Sequence, residues 1–185
     1  MISLMILVAL TIAGLALIRS VDTTNVIAGN LAFQQAAVHS GEAGTEAAIV
    51  SLNGKSTATL LNDISAIGYT ASTPASGNPA NWDTYWATVI NPSSVNTPGC
   101  SGRVCVLPMD ASGNTASYTI QRLCQTAGDP TQVTTGCPSY TPAVINCITA
   151  NCTNFTPAKQ YYYRITTRVD GPRNTLSYIQ TIVAR

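Results

Sequence analysis

The chain has 185 residues, the size of one ordinary domain or of a smaller domain that carries an appendage. Charged residues make up only 9% of it, against about a quarter in a typical soluble domain, and 45% are hydrophobic, so we expect part of the chain to face something other than water. The formal net charge of +1 lacks the basic excess that phosphate binding requires, which argues against nucleic acid as the main partner.

The first predicted element is an apolar helix over residues 1–18. This segment carries no charge, and its only interruptions are Ser3, Thr11 and Gly14. As a helix it would be about 27 Å long, nearly enough to cross a bilayer. A secretory signal peptide is the alternative, but the sequence shows neither a basic region before the apolar run nor a small-residue cleavage site after it. The pattern therefore favours a retained membrane segment.

The helix is predicted to continue as an amphipathic half over residues 19–52. Four apolar residues lie within about 40° of one another on a helical wheel and are predicted to face a core. They are Ile27, Leu31, Val38 and Ile49. The glycines at positions 29, 41 and 44 each cost about 1 kcal/mol relative to alanine, so the helix is not optimised for rigidity. The whole helix would be roughly 78 Å long, too long for this chain to bury, so one half must project.

Residues 53–185 are predicted to form a β-rich head. Runs at 85–90 and 118–124 are rich in β-branched and aromatic residues and predict strands, whereas the stretch 71–81 is rich in Pro, Gly, Ser and Asn and predicts a loop. An antiparallel sheet laid on the amphipathic half of the helix would bury that half and leave the apolar half protruding. The predicted fold class is therefore α+β.

The clearest predicted element of the head is a C-terminal hairpin. Its strands cover residues 161–169 and 175–183, and the turn between them covers 170–174. Four arginines gather near it, and we expect them on the exposed face of the sheet, although docking of a neighbour or of an anionic ligand is the alternative. They are Arg164, Arg168, Arg173 and Arg185.

Six cysteines lie in the second half of the chain, and their even number and clustering favour disulfides. They are Cys100, Cys105, Cys124, Cys137, Cys147 and Cys152. Fifteen pairings are permitted, of which the consecutive one closes three short loops that contribute roughly 2 to 3 kcal/mol each. Zinc is the rival, but the sequence has no C-x2-C pair and its single histidine lies far upstream. Disulfides indicate an oxidising compartment, such as the periplasm or the cell surface.

The order of these elements resembles the type IV pilins, and within them the PilX-type minor pilins. The N-terminal half carries the resemblance in Leu10-Thr11-Ile12-Ala13-Gly14, Leu17-Ile18-Arg19-Ser20, Ala28-Gly29-Asn30, Ala32-Phe33-Gln34-Gln35-Ala36-Ala37 and Glu42-Ala43. The head carries it in the runs 117–124, 162–166 and 171–178. The region between about residues 55 and 115 has no counterpart. The resemblance implies a long helix packed on an antiparallel sheet with disulfide-bonded loops.

One position departs from the family. Most pilins carry a glutamate at the fifth mature position, thought to pair with the N-terminal amine of a neighbouring subunit, whereas this chain has Met5. If a few residues precede Met1 in the mature protein, the corresponding position shifts, but the first acidic residue of this sequence is Asp22. A helix without an intramembrane carboxylate is easier to keep in lipid but lacks one electrostatic device for setting assembly register.

The resemblance implies a structural subunit of a type IV pilus or pilus-like filament, with roles in cell adhesion and motility. We expect the chain to wait in the inner membrane and then to pack its helix against copies of itself or other pilins in an extracellular fibre. The expected assembly residues are Met1, Leu4, Met5, Leu7, Val8, Leu10, Ile12, Gly14, Leu15 and Leu17.

Two alternatives remain at this stage. The first is a minor pilin that primes assembly or acts in tip adhesion through a surface receptor or glycan. The second, more remote, is a membrane-anchored periplasmic sensor or enzyme. Neither a cofactor nor catalysis is expected, because His39 lies in the predicted helix and the sequence contains no G-x-S-x-G or H-E-x-x-H motif.

Overall fold

The computed structural model describes residues 2–73, 79–143 and 157–185 of the chain. Helix α1 covers Ile2–Asn53, 52 residues or roughly 78 Å, so the prediction of one continuous helix is confirmed. It ends at Asn53, one residue beyond the predicted end of the amphipathic half and just before Gly54.

The head is built on a seven-stranded sheet. Its strands are β1 (Tyr69–Thr70), β2 (Gly99–Ser101), β3 (Val104–Val106), β4 (Thr115–Arg122), β5 (Ser139–Tyr140), β6 (Gln160–Gly171) and β7 (Thr175–Ala184). The order β2-β3-β4-β6-β7 is antiparallel throughout; β1 pairs in parallel with β4, and β5 pairs with the start of β6. The predicted hairpin is present as β6 and β7, and the strand predicted at 118–124 is β4. The α+β fold class is confirmed.

The face of α1 that packs on the sheet is not the predicted one. Ile27, Leu31 and Val38 remain 63%, 53% and 43% exposed, and only the fourth member of that stripe, Ile49, packs against the core. The buried residues of α1 are Ser40, Gly41, Gly44, Ala48 and Leu52. The physical reason is that only the last third of α1 lies over the sheet, and small residues there allow a close approach.

The main core lies between the end of α1 and one face of the sheet. Leu52 meets Tyr69, Ile120 and Ile165 in one cluster in which each side chain is almost fully buried. Tyr161 and Tyr163 belong to the same cluster, because alternate residues of β6 face α1. This arrangement makes the last third of α1 part of the head.

The opposite face of the sheet is covered by a short helical segment where a strand was predicted. Residues Trp82–Tyr85 form α2, which continues as a π-helical turn over Trp86–Ile90, so the prediction of a strand at 85–90 is wrong. The Asn81 side chain caps the segment by accepting hydrogen bonds from the backbone N–H groups of the second and third residues after it. The aromatic and aliphatic side chains of this segment then pack on β3 and on Tyr178.

The expectation of an exposed arginine face is also wrong for Arg164. This side chain is buried on the α2 side of the sheet, where it donates to Gln121 Oε1 at 2.7 Å and lies 5.2 Å from the centre of the Trp82 ring. Arg168 is paired with Asp170 at 2.7 Å. Arg185 donates to backbone carbonyls at the end of α1. Three of the four arginines therefore stabilise the head itself.

Two disulfides follow the consecutive pairing. Cys100 is bonded to Cys105 across the β2–β3 hairpin, and Cys124 is bonded to Cys137, which closes the loop after β4. These four cysteines are therefore not available to bind zinc. The predicted partners Cys147 and Cys152 lie outside the described residues.

Candidate assembly surface on the N-terminal helix

The first half of α1 stands free of the head. Every large apolar residue from Ile2 to Val38 is between 43% and 76% exposed, and the first buried residue of the helix is Ser40. Seven consecutive apolar residues, 4–10, span two helical turns and so surround the helix on all sides. A surface of this kind is not stable in water, because exposed apolar patches of more than a few hundred Å2 mark contacts with a membrane or another protein.

The predicted assembly residues all lie within this exposed segment, apart from Met1, which falls outside the described residues. They do not form one face. The side chains of Met5 and Leu7 point about 160° apart around the helix, and each is more than 60% exposed. A Cβ atom added to Gly14 would meet nothing within 4 Å. Nothing in the head competes for these side chains, so all of them are available to lipid or to a partner.

By length and composition, α1 could cross a bilayer. The most apolar 18-residue window of the helix has a mean hydropathy of 2.3, and none of it is buried. The first charged residues, Arg19 and Asp22, follow the apolar run one helical turn apart. The helix therefore has an apolar segment of bilayer length followed directly by a polar boundary.

The C-terminal part of α1 packs closely on the sheet at two glycines, Gly41 and Gly44. A Cβ atom added to Gly41 would lie 2.3 Å from Ile179 Cδ1, and one added to Gly44 would lie 2.6 Å from Thr167 Cγ2. From the sequence alone, these glycines are expected only to lower the stability of the helix. A signal was present, because Ser40, Gly44, Ala48 and Leu52 recur every four residues along one side of the helix.

Polar contacts add to this attachment. Ser40 donates a hydrogen bond to Asp110, and the Thr45 and Thr167 hydroxyls lie 3.1 Å apart. The hydrogen bond from Ser40, together with the backbone N–H groups of Asn114 and Ser112, holds the pKa of Asp110 below its ordinary value. The projecting helix and the head therefore form one connected unit, so a contact made by the apolar segment also positions the head.

Comparison with protein families, curated proteins and solved structures gives no match for this chain. The architecture on its own is consistent with a pilin-like fold: a long N-terminal apolar helix, an antiparallel sheet packed on its C-terminal part, and two disulfides in the head.

Proposed function

We propose that the chain is a structural subunit of a type IV pilus or of a pilus-like extracellular filament. The observation that carries the proposal is the segment from Ile2 to Ile18, which is exposed, apolar on all sides and joined through the rest of α1 to a disulfide-bonded head. Such a helix needs an apolar environment along its whole circumference. A bilayer supplies that environment before assembly, and a bundle of parallel copies supplies it afterwards.

The energetics agree with this two-stage use. Full burial of a large aliphatic side chain contributes about 1.5–3 kcal/mol relative to exposure to water, so the eight described assembly residues that carry such a side chain retain the helix strongly in either environment. Between lipid and a helix bundle, the hydrophobic term nearly cancels, and packing and polar contacts decide the balance. Extraction from the membrane therefore does not require giving up apolar burial.

A more specific proposal is a PilX-like minor subunit that primes assembly or acts at the tip. Met5 favours it, because the apolar segment over residues 2–18 carries no carboxylate that could pair with the N-terminal amine of a neighbour. A subunit used once per fibre has less need of a repeated electrostatic register. In that role, the head would contact other pilins, a surface receptor or a glycan.

A membrane-anchored sensor or enzyme is the least supported candidate. His39, Ser40 and Asp110 line one shallow cleft, which is the residue combination of a hydrolase. However, Ser40 donates directly to Asp110 and accepts from Asn114 Nδ2 at 3.1 Å, so its hydroxyl is used as a structural contact between α1 and the head. This arrangement favours a structural role for the cluster.

The test is the subunit composition of sheared surface filaments, measured by quantitative mass spectrometry. A structural subunit accounts for nearly all of the filament mass, whereas a priming or tip subunit is present at a few copies per filament. If filaments from the producing cells lack the chain, and deletion of its gene leaves their number unchanged, the proposal is wrong.

A further inference from the structure

Strand β7 forms a long free edge of the sheet. It pairs with β6 along Thr175–Ala184 and with no other described strand. The ladder continues to Arg185, whose N–H donates to the Tyr161 carbonyl and whose carbonyl accepts from the Tyr161 N–H. Because hydrogen-bonded pairs alternate in an antiparallel ladder, the odd-numbered residues of β7 direct their backbone groups to β6. The even-numbered residues direct theirs outward.

Five residues therefore present unpaired N–H and C=O groups along this edge. They are Leu176, Tyr178, Gln180, Ile182 and Ala184. Within the described parts of the chain, none of these backbone groups has a hydrogen-bond partner. An edge of this length is a template for another strand.

The free edge also lacks the usual protective features. Stable monomeric proteins blunt long edges with charged residues, proline or a bulge, and the ten residues of β7 contain no charge and no proline. The register with β6 runs without interruption from Gly171↔Thr175 to Tyr162↔Ala184, so no bulge breaks it. Ile182 is 60% exposed on the edge. A strand so unprotected is suited to pairing with a partner.

The direction of α1 limits which partner can pair. Gly41 packs on Ile179, and further along both elements the Leu52 carbonyl accepts a hydrogen bond from the Arg185 side chain. Helix α1 and strand β7 therefore run in the same direction. Antiparallel pairing of β7 with β7 of a second copy would point the two apolar segments in opposite directions. Two copies whose apolar segments share one membrane or one helix bundle cannot make that contact.

The opposite edge of the same sheet fits the requirement. Among the described strands, β2 pairs only with β3, and Gly99, Cys100 and Ser101 are all exposed. Four successive antiparallel pairings separate β2 from β7, so the two strands run in the same direction. Copies standing side by side with parallel helices therefore present β2 of one to β7 of the next, in a parallel pairing.

We propose that the free edge of β7, at its exposed end around Ile182, binds strand β2 of a second copy, so that the sheets of adjacent heads join. The proposal rests on the proposed filament function, which requires parallel copies. This head-to-tail contact does not close on itself in a pair, and repeated contacts of this kind generate helical assemblies. Backbone hydrogen bonds at this contact would set the register between subunits. The apolar segment carries no acidic residue that could set this register electrostatically.

The first test separates the backbone group from the side chain at one position. Both Ile182→Pro and Ile182→Ala remove the exposed side chain, but only Ile182→Pro removes the outward N–H, which takes no part in the ladder with β6. Loss of one hydrogen bond weakens each subunit contact by about 2- to 12-fold. The expected result is a filament yield at least a few fold lower for Ile182→Pro than for Ile182→Ala. Chain level and disulfide formation in the full-length protein check that both variants fold. Equal yields from two folded variants would overturn the proposal.

The second test is cysteine cross-linking by mild oxidation of intact cells, which samples the membrane and filament pools together. Ile182→Cys is combined with Thr97→Cys or with Arg103→Cys, which flank β2 and are exposed. A ladder of multimers from at least one double variant, and none from Ile182→Cys alone, is expected. Dimers from Ile182→Cys alone would show β7–β7 pairing and reject the proposal. Filaments without a ladder would reject this contact and leave the proposed function standing, whereas a ladder-free chain in cells without filaments would reject both.

Discussion

Replacing Gly44 with alanine tests whether close packing fixes the projecting helix to the head. The added Cβ atom would lie 2.6 Å from Thr167 Cγ2 and 3.3 Å from the Ala116 Cβ, so the helix and strand β6 must separate by about 1 Å to restore normal contact. Thr167 cannot rotate away cheaply, because it is fully buried, β-branched and 3.1 Å from the Thr45 hydroxyl.

The expected magnitude follows from three contributions. Overpacking costs about 1–3 kcal/mol, and loss of the Thr45–Thr167 hydrogen bond costs about 1 kcal/mol. Alanine returns about 1 kcal/mol through its higher helix propensity. The net effect is a loss of about 1–3 kcal/mol in the free energy of unfolding, or about 2–4 °C in the unfolding midpoint for each kcal/mol.

The assay is thermal unfolding of the full chain in detergent, with Gly29→Ala as the matched control. Gly29 lies in the same helix, and a Cβ atom added there would meet nothing within 4 Å, so the same chemical change is expected to leave the midpoint of the head unchanged or to raise it. If Gly44→Ala is as stable as Gly29→Ala, the close packing of α1 on the sheet is not as described.

Three further predictions concern the head and the apolar segment. Arg185→Ala removes the donor to the Leu52 carbonyl at the end of α1 and is expected to lower the free energy of unfolding by about 1–3 kcal/mol, measured by denaturant titration, with Arg185→Lys intermediate. Because the pKa of Asp110 is lowered in the folded state, its contribution is complete above pH ~5 and is lost as the pH falls below ~4, so the stability difference between the protein and Asp110→Asn should shrink over that range; a difference that grows on acidification would contradict the assignment. Leu10→Arg costs about 3 kcal/mol within a membrane segment and should lower membrane retention and filament yield while leaving the unfolding midpoint of the head unchanged, because Leu10 does not touch the head; Val133→Arg, which places the same charge at a site that is 95% exposed, should change neither membrane retention nor filament yield.

The elements with long, regular patterns were predictable from the sequence. The apolar run and its continuation gave α1 to within one residue of its end, because neither proline nor a turn signal interrupts it before Asn53. The alternating run after residue 160 gave the β6–β7 hairpin. Consecutive pairing of Cys100 with Cys105 and of Cys124 with Cys137 was favoured by loop length, and both bonds are present.

The missed features depend on contacts that the periodicity of large apolar residues does not report. The helical wheel selects large apolar residues, whereas α1 meets the sheet through Gly41 and Gly44, where the absence of a side chain is what permits the contact. The segment 82–90 has the composition of a strand, but its capping by Asn81 and its packing on β3 make it helical. Arg164 alternates with core residues and so reads as an exposed position, because the covering layer on that face was not foreseen.

The position of the exposed apolar segment could be predicted from the sequence, but the strand edge that could bind a second copy could not. The exposure of Leu4 to Leu17 follows directly from the length of α1, since a head of this size covers only its last third. The free edge of β7 could not be predicted, because strand order is set by pairings between residues far apart in the chain. Both features concern surfaces that the folded monomer leaves without a partner.

The most direct measurement of the central claim is a reconstruction of the filament with density for side chains. We expect residues 2–18 of each copy to be surrounded on all sides by the same segment of other subunits, with the heads outside. Filaments that lack this chain would contradict the proposed assembly. So would a chain that stays in the membrane, with its apolar segment in contact only with lipid.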